Sequence, residues 1–122
     1  MQYVKIPKIR GPYSHAVKAA GFLFVSGQLP IDPNTEELVE DTIEAQTTQV
    51  LNNIEAILNA HSLTLANIVK VEVYLKDMAD APKLNALYTS RFIHEPKPAR
   101  QMMQVARLPM DVRVEISCIA QI

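Results

Sequence analysis

The sequence predicts an α+β fold in which two helices pack on one face of a mixed β-sheet, in the order β-β-β-α-β-α-β-β. Apolar residues recur at three- and four-residue intervals in two segments, residues 43–60 and 80–92, as in amphipathic helices. Apolar and polar residues alternate in residues 68–76 and 112–120, as in strands buried on one face. The apolar stripe of each helix needs a partner, and the sheet is the obvious one.

Three short strands are predicted before the first helix, over residues 2–9, 13–20 and 22–29. The first ends at a Gly-Pro turn, and the other two flank Gly21, where a hairpin can reverse. Gly27 lies inside the third segment, and a glycine within a strand marks a bulge or a close approach to the backbone. Residues 30–40 are predicted to form a polar loop.

The two helices have recognisable starts. Asp41 is the predicted N-cap of the first helix, with Glu44 three residues on, and His61 stands where the helix should end. The second helix begins near Asp80, with Pro82 tolerated in its first turn. A proline-rich connector over residues 95–98 then leads into a strand.

The last two predicted strands, residues 97–109 and 112–120, meet at a Leu-Pro-Met-Asp turn. Alternation places Arg100 and Met102 on one face of the first strand, and Glu115 on the polar face of the second. The helices cover one sheet face, so the other should carry Arg113, Glu115, Tyr74, Glu72 and Met102 or its neighbours. Such a mixed face in a short chain is often the inside of an oligomer, which predicts a cyclic assembly with clefts between subunits.

Composition predicts one soluble domain over residues 1–122, with 48% hydrophobic and 20% charged residues. The net charge of −1 and the absence of a Lys/Arg run give no support for nucleic-acid binding. Cys118 is the one cysteine, so no internal disulfide forms, which fits a reducing cytoplasm. No signal peptide or membrane-spanning run is seen, so a cytoplasmic location is expected. The histidines, His15, His61 and His94, lack metal-ligand spacing.

The residues alone leave Arg100 and Glu115 open to two interpretations. Charged residues on open sheet faces are common, so both side chains can simply be solvated. Alternatively, Arg100 is an anion clamp and Glu115 a carboxylate that handles protons.

Several motifs in order along the chain resemble the reactive intermediate deaminase family, also called the YjgF group: Gly11-Pro12-Tyr13-Ser14, Phe24-Val25-Ser26-Gly27-Gln28-Leu29-Pro30, Glu44-Ala45-Gln46-Thr47, Ile68-Val69-Lys70-Val71, Asn85-Ala86-Leu87-Tyr88, Pro98-Ala99-Arg100 and Val105-Ala106-Arg107-Leu108-Pro109. The resemblance implies a chorismate-mutase-like homotrimer without cofactor or metal, with three sites at the subunit interfaces. It implies hydrolysis of 2-iminoacids such as 2-iminobutanoate and 2-iminopropanoate, which PLP-dependent dehydratases release, to 2-oxoacids and ammonia.

The resemblance also implies roles for individual residues. Arg100 and Glu115 would be catalytic, and the substrate-binding residues would be Tyr13, Ser26, Gly27, Asn85 and Met102. A guanidinium matches the two oxygens of a carboxylate, and a glutamate can position water and move its proton to the imine nitrogen. Main chain at Gly27 and Met102 can hydrogen-bond the imine nitrogen.

The chain departs from the family pattern directly after the arginine, where Gln101 and Met102 replace a Ser-Cys pair. Met102 can supply the same carbonyl, although its longer side chain reshapes the pocket. Two functions of other classes remain alternatives: a non-catalytic trimer that binds small carboxylates and regulates metabolism, and an endoribonuclease that inhibits translation. The near-neutral charge counts against the ribonuclease.

Overall fold

A five-stranded mixed sheet with two helices on one face forms the fold of the computed structural model, which describes residues 5–122. The elements are β1 (Ala16–Ala19), β2 (Phe22–Gln28), β3 (Ile31–Asp32), β4 (Glu37–Leu38), α1 (Ile43–Ala60), β5 (Ile68–Leu75), α2 (Ala81–Arg91), β6 (Ala99–Gln104) and β7 (Val114–Gln121). The sheet order is β1-β2-β7-β5-β6, while β3 and β4 pair only with each other. The predicted α+β class is confirmed.

The N-terminal hairpin forms as predicted. β1 and β2 pair antiparallel around Ala20 and Gly21, whose φ values of 52° and 82° are both positive. Such a turn matches the twist of the strands, and glycine adopts it without steric cost.

The strand predicted over residues 2–9 is wrong for residues 5–9, which form no ladder; residues 1–4 lie outside the described part of the chain. The segment is held instead by a side chain, since Nε2 of His15 hydrogen-bonds the carbonyl oxygen of Pro7. The predicted polar loop over residues 30–40 contains the short β3–β4 hairpin, which the sequence reading missed.

The N-cap of helix α1 lies one residue later in the chain than predicted. Thr42 is the N-cap, and its hydroxyl oxygen accepts the N–H of Ala45 at 3.1 Å. The prediction of Asp41 as N-cap is therefore wrong, because its carboxylate accepts a hydrogen bond from Nε of Arg113 at 2.9 Å. The helix ends at Ala60 with His61 as C-cap, as predicted.

The last two strands do not pair with each other, although they were predicted to meet at a turn. β5 lies between them, parallel to β6 and antiparallel to β7. The turn is therefore a crossing over the end of β5, and Met110 and Asp111 take left-handed φ values of 57° and 56° there. An ion pair of 2.9 Å between Lys76 and Asp111 fixes this turn beside β5.

One sheet face packs on the helices and the other stays open. The buried face joins the apolar stripes of both helices in one core, centred on Leu23, Val50, Leu51, Ile54, Ile57, Val71, Val73, Leu75, Leu84, Val114 and Ile116. The open face exposes apolar side chains of three strands, namely Val17, Phe24 and Met103. Rows of polar partners lie beside them, Glu72 with Ser117 and Tyr74 with Glu115.

Arg113, which was predicted for the open face, lies elsewhere, and of Met102 and its neighbours it is the neighbours that lie on that face. Met102 is in register with the buried Val73 and packs against the core, while its neighbours Gln101 and Met103 occupy the open face. Arg113 contacts the starts of the helical segments, with its guanidinium 2.9 Å from Asp41 and 3.7 Å from Asp80. Neither helix of residues 5–122 is long and apolar enough to span a membrane.

The buried amide of Asn53 ties α1 to the segment that follows β2. Its Nδ2 donates to the carbonyl oxygens of Leu29 and Ile31 at 3.1 and 3.0 Å. We expect Asn53→Ala to lower the free energy of unfolding by about 2 kcal/mol, because two carbonyls in a buried site lose their donor.

Urea unfolding at fixed protein concentration measures this change, and Asn59→Ala is the matched control. Asn59 is exposed on the last turn of the same helix, so its replacement should change stability by less than about 0.5 kcal/mol. Equal losses in the two variants would contradict the role given to Asn53.

Candidate functional site

A pocket of about 460 Å³ opens beside the start of β7 and is called here the Glu115 pocket. It brings together three of the predicted substrate-binding residues with the predicted catalytic carboxylate, and its lining includes Arg10, Tyr13, Ser26, Gly27, Met110 and Glu115. The segment before β1 supplies Arg10 and Tyr13, β2 supplies Ser26 and Gly27, and β7 with the turn before it supplies Glu115 and Met110. Within residues 5–122, no ion pair or side-chain hydrogen bond engages the carboxylate of Glu115.

Gly27 fits its place because the carboxyl group of Glu115 lies directly over it. A Cβ at Gly27 would stand 3.0 Å from Cδ and 3.1 Å from Oε1 of Glu115. The register of β2 against β7 shifts between Val25 and Gln28, so the bulge predicted at this glycine is present. A ligand bound at Glu115 therefore also meets the main chain of Gly27.

Tyr13 and Ser26 are held by neighbouring backbone. Gly11 lets the Tyr13 ring fold back, since a Cβ at Gly11 would be 2.9 Å from a ring carbon. The ring is 47% exposed and forms one wall of the pocket. The hydroxyl of Ser26 donates to the carbonyl oxygen of Ser14 at 2.6 Å, which ties β2 to the segment that carries Tyr13.

Burial raises the pKa of Glu115 above its ordinary value, since the pocket wall shields the carboxylate from water. A carboxylate with a raised pKa is a stronger base than one in water. It therefore takes a proton from a bound water more readily.

Arg100 lies in a second group of side chains, which we call the Arg100 cluster: Arg100, Asn85, Tyr88 and Phe92. Nη1 of Arg100 donates to Oδ1 of Asn85 at 2.8 Å, and the guanidinium carbon is 4.6 Å from the ring centre of Tyr88. The Tyr88 ring stacks on Phe92 with centroids 4.2 Å apart. A guanidinium has five N–H groups, so donors remain for a ligand.

The Arg100 cluster and the Glu115 pocket lie on opposite faces of the sheet. Arg100 is in register with Val71, which belongs to the buried face, whereas Glu115 is in register with Tyr74. Val71 and Tyr74 are three residues apart on β5, so they point to opposite sides. The predicted site residues are therefore divided between the two faces: Tyr13, Ser26, Gly27 and Glu115 line the pocket, and Arg100, Asn85 and Met102 lie on the helix side.

Comparison with known proteins places the chain in a family. A family model described as endoribonuclease L-PSP matches residues 4–122. A RutC family protein from Pyrococcus horikoshii is 54% identical over 114 residues, covering 93% of this chain and 90% of the relative. The 2-iminobutanoate/2-iminopropanoate deaminase of Salmonella typhimurium is 41% identical, with 93% of this chain and 90% of the relative covered. The chain belongs to the reactive intermediate deaminase family.

A solved structure supports the same placement. The crystal structure of a protein of the conserved Rid family from Yersinia pestis superposes with a TM-score of 0.94 at 40% identity, covering 97% of this chain and 94% of that one. The fold of the reactive intermediate deaminase family is therefore the fold of this chain.

The residues of the pocket and the Arg100 cluster that the sequence did not single out include Arg10, Tyr88 and Met110. Tyr88 was assigned to the apolar stripe of α2, and its spacing from Phe92 gives that signal alone. Met110 lines the pocket from a left-handed turn, and the sequence has no glycine there to indicate such a turn. Arg10 precedes a Gly-Pro turn, and its charge beside Tyr13 was the available signal.

Other groups of interest are not among the predicted site residues. Burial raises the pKa of Cys118 to about 12, so the thiol stays protonated at neutral pH. Among residues 5–122, no cluster of three or more His, Cys, Asp or Glu side chains is arranged to hold a metal ion. Arg113 pairs with Asp41 and Asp80 of its own chain.

We expect Glu115→Gln to stabilise the fold at neutral pH and not at low pH. The folded pKa of Glu115 is raised, so the folded protein holds its proton more tightly than the unfolded chain does. Stability of the parent protein therefore falls as pH rises from the ordinary value of 4.5 through the raised pKa, and the glutamine variant escapes this loss.

Urea unfolding of both proteins at several pH values between 4 and 8 tests this prediction. The stability difference should grow across the titration window and then stay constant. A difference that is independent of pH would instead indicate a change in packing.

Proposed function

We propose that this chain hydrolyses 2-iminoacids to 2-oxoacids and ammonia, in a site completed by two copies of the chain within a cyclic homotrimer. The observation that carries the proposal is the division of the site. A guanidinium with donors left for a ligand lies on one sheet face, and a carboxylate of raised pKa, which pairs with no cation of residues 5–122, lies in a pocket on the other. The exposed apolar residues of the open face, Val17, Phe24 and Met103, favour its burial against another copy.

Arg100 binds the carboxylate of the 2-iminoacid. The Asn85 amide and the Tyr88 ring hold the guanidinium without neutralising it, so a planar pair of donors stays free for two carboxylate oxygens. The same clamp would hold the carboxylate of the 2-oxoacid product. Holding the substrate in this way fixes the imine carbon in front of the partner's Glu115 pocket.

Glu115 activates the water. Its carboxylate accepts a proton from water as the oxygen bonds to the imine carbon, and that proton passes to the imine nitrogen. In the carbinolamine that results, Glu115 takes the hydroxyl proton and passes it to the amine nitrogen, so that the C–N bond breaks, the carbonyl forms and ammonia leaves. Glu115 starts and ends the cycle as a carboxylate, so water is the only reactant that the hydrolysis of the imine consumes.

The main chain at Gly27 and at Met102 assists at the nitrogen. A glycine at position 27 leaves room for the carboxyl group of Glu115 and for a ligand beside it. Carbonyl oxygens can accept the N–H groups of the iminium and of the leaving ammonia. Tyr13 covers the open side of the pocket and lowers the access of bulk water.

The activity is tested with 2-iminobutanoate generated in situ by an amino-acid oxidase in the presence of catalase. The protein should raise the rate of 2-oxobutanoate formation. Arg100→Ala and Glu115→Gln should each lower kcat/KM by about 100-fold, through loss of the carboxylate clamp and of the base. An unchanged rate in Arg100→Ala would overturn the proposal.

Mixing the two inactive variants tests where the site lies. If Arg100 of one subunit works with Glu115 of the next, one interface in four regains both groups when equal amounts assemble at random. Unfolding the mixture and refolding it together should therefore restore about one quarter of the parent rate. No recovery in verified mixed oligomers would place both residues in a single-chain site.

Two further outcomes separate the alternatives. A protein that binds 2-oxobutanoate through Arg100 without accelerating imine hydrolysis would be a carboxylate-binding regulator. RNA cleavage that survives Arg100→Ala would point to a different site or to a contaminant.

Tyr88 should act as a positioning residue for Arg100. We expect Tyr88→Leu to raise KM about fivefold with little change in kcat, because the guanidinium loses the ring face that orients it. Tyr88→Phe keeps the ring and removes a buried hydroxyl that has no partner among the described residues. It should retain the parent KM, and an equal loss in both variants would contradict the role of the ring.

A further inference from the structure

A second guanidinium lines the Glu115 pocket, and nothing in the reaction outlined above uses it. Arg10 shares the pocket with Glu115, and its Nη2 donates to the main-chain carbonyl oxygen of Glu36 at 3.0 Å. In the described part of the chain, no carboxylate forms an ion pair with Arg10. The guanidinium is thus anchored by a neutral acceptor and keeps its charge and most of its five donors.

Arg10 and Glu115 carry opposite charges and line the same pocket, but they do not form an ion pair with each other. An arginine and a glutamate in contact would form a charge-assisted pair and neutralise each other. Their separation leaves space between them, and the wall of that space includes Leu29, Pro109 and Met110. The pocket therefore offers an apolar wall next to a cation, beside the carboxylate that activates water.

A 2-iminoacid with a small alkyl side chain has no second anionic group that could bind the Arg10 guanidinium. Its single carboxylate is taken by Arg100, and an ethyl or methyl group fills only a small part of a pocket of about 460 Å³. A longer side chain ending in an anion fits better, since its methylene groups meet the apolar wall and its end meets Arg10. A carboxylate at that end can accept two N–H groups of one guanidinium.

We propose that Arg10 makes this site selective for 2-imino dicarboxylic acids, in which the second carboxylate lies at the end of a side chain of about two methylene groups. The inference rests on the proposed function, because it assumes that the first carboxylate is held by Arg100. Arg10 is then a specificity-determining residue: Arg100 and Arg10 bind the two ends of the substrate, with the imine carbon at Glu115 between them.

Two probes test the inference. 2-Iminoglutarate is generated from L-glutamate by a glutamate oxidase, and 2-iminobutanoate is generated from L-2-aminobutanoate by an amino-acid oxidase. We expect the parent protein to show the higher kcat/KM with 2-iminoglutarate. Arg10→Gln should raise KM for 2-iminoglutarate by about tenfold or more and leave 2-iminobutanoate unchanged, because only the dicarboxylate loses a charge-assisted contact.

The glutamine variant is chosen because it removes the positive charge and keeps an N–H donor in the side chain. Lys18→Gln removes the same charge from an exposed position on β1 and should leave both substrates unaffected. A purely structural role of Arg10 would instead lower activity toward both imines to the same extent, and that result would overturn the inference.

Equilibrium binding gives a readout that does not depend on turnover. Calorimetry should show that 2-oxoglutarate binds about tenfold more tightly than 2-oxobutanoate to the parent protein, and that Arg10→Gln removes the difference. Equal affinities in the parent would overturn the inference while leaving the proposed function intact. Absence of imine hydrolysis together with retained 2-oxoglutarate selectivity would overturn the function and keep Arg10 as a dicarboxylate ligand.

Discussion

The parallel pairing of β6 with β5 is the constraint on which the candidate site depends. It sets Arg100 beside Val71, so the guanidinium leaves the sheet on the helix side and reaches α2. The antiparallel pairing of β7 on the other edge of β5 sets Glu115 beside Tyr74 on the open side. A sheet is one residue thick, and neither side chain can cross it. A reaction that uses both groups therefore requires two copies of the chain.

The partners of the arginines distinguish the groups proposed to bind a ligand from the one that is structural. Arg113 contacts two carboxylates of its own chain, and these neutralise it. Arg100 is held by an amide and an aromatic ring, and Arg10 by a main-chain carbonyl. Neutral acceptors orient a guanidinium and leave its charge available, which is the arrangement expected of a group that waits for an anion. Glu115 also keeps its charge available, because main chain at Gly27 lies against its carboxyl group and no cation of the described residues pairs with it.

Local sequence patterns predicted the helices and strands. The positions of Arg100 and Glu115 depend instead on pairing between strands that are distant in sequence. The alternation of β5, the stripe of α1 and the turn at Gly21 are properties of neighbouring residues, and all three were predicted correctly. Asp41 was predicted as the N-cap of α1, but its carboxylate accepts a hydrogen bond from Arg113, which lies 72 residues further along the chain, and Thr42 is the cap. Sequence periodicity carries no information on which strand lies between two others. The opposite orientation of Arg100 and Glu115 was accordingly beyond its reach, although both residues had been singled out.

The electrostatics of the proposed assembly couple substrate binding to the proton chemistry of Glu115. Burial alone raises the pKa of its carboxyl group, and covering the open face would extend that burial. In the proposed trimer, Arg100 of a second copy would oppose the effect of burial, since a nearby cation stabilises the carboxylate and lowers its pKa. A bound substrate carboxylate neutralises the Arg100 guanidinium, so the pKa of Glu115 rises again and the carboxylate is a stronger base. In this arrangement the carboxylate becomes most able to deprotonate water at the moment when an imine is present to receive it.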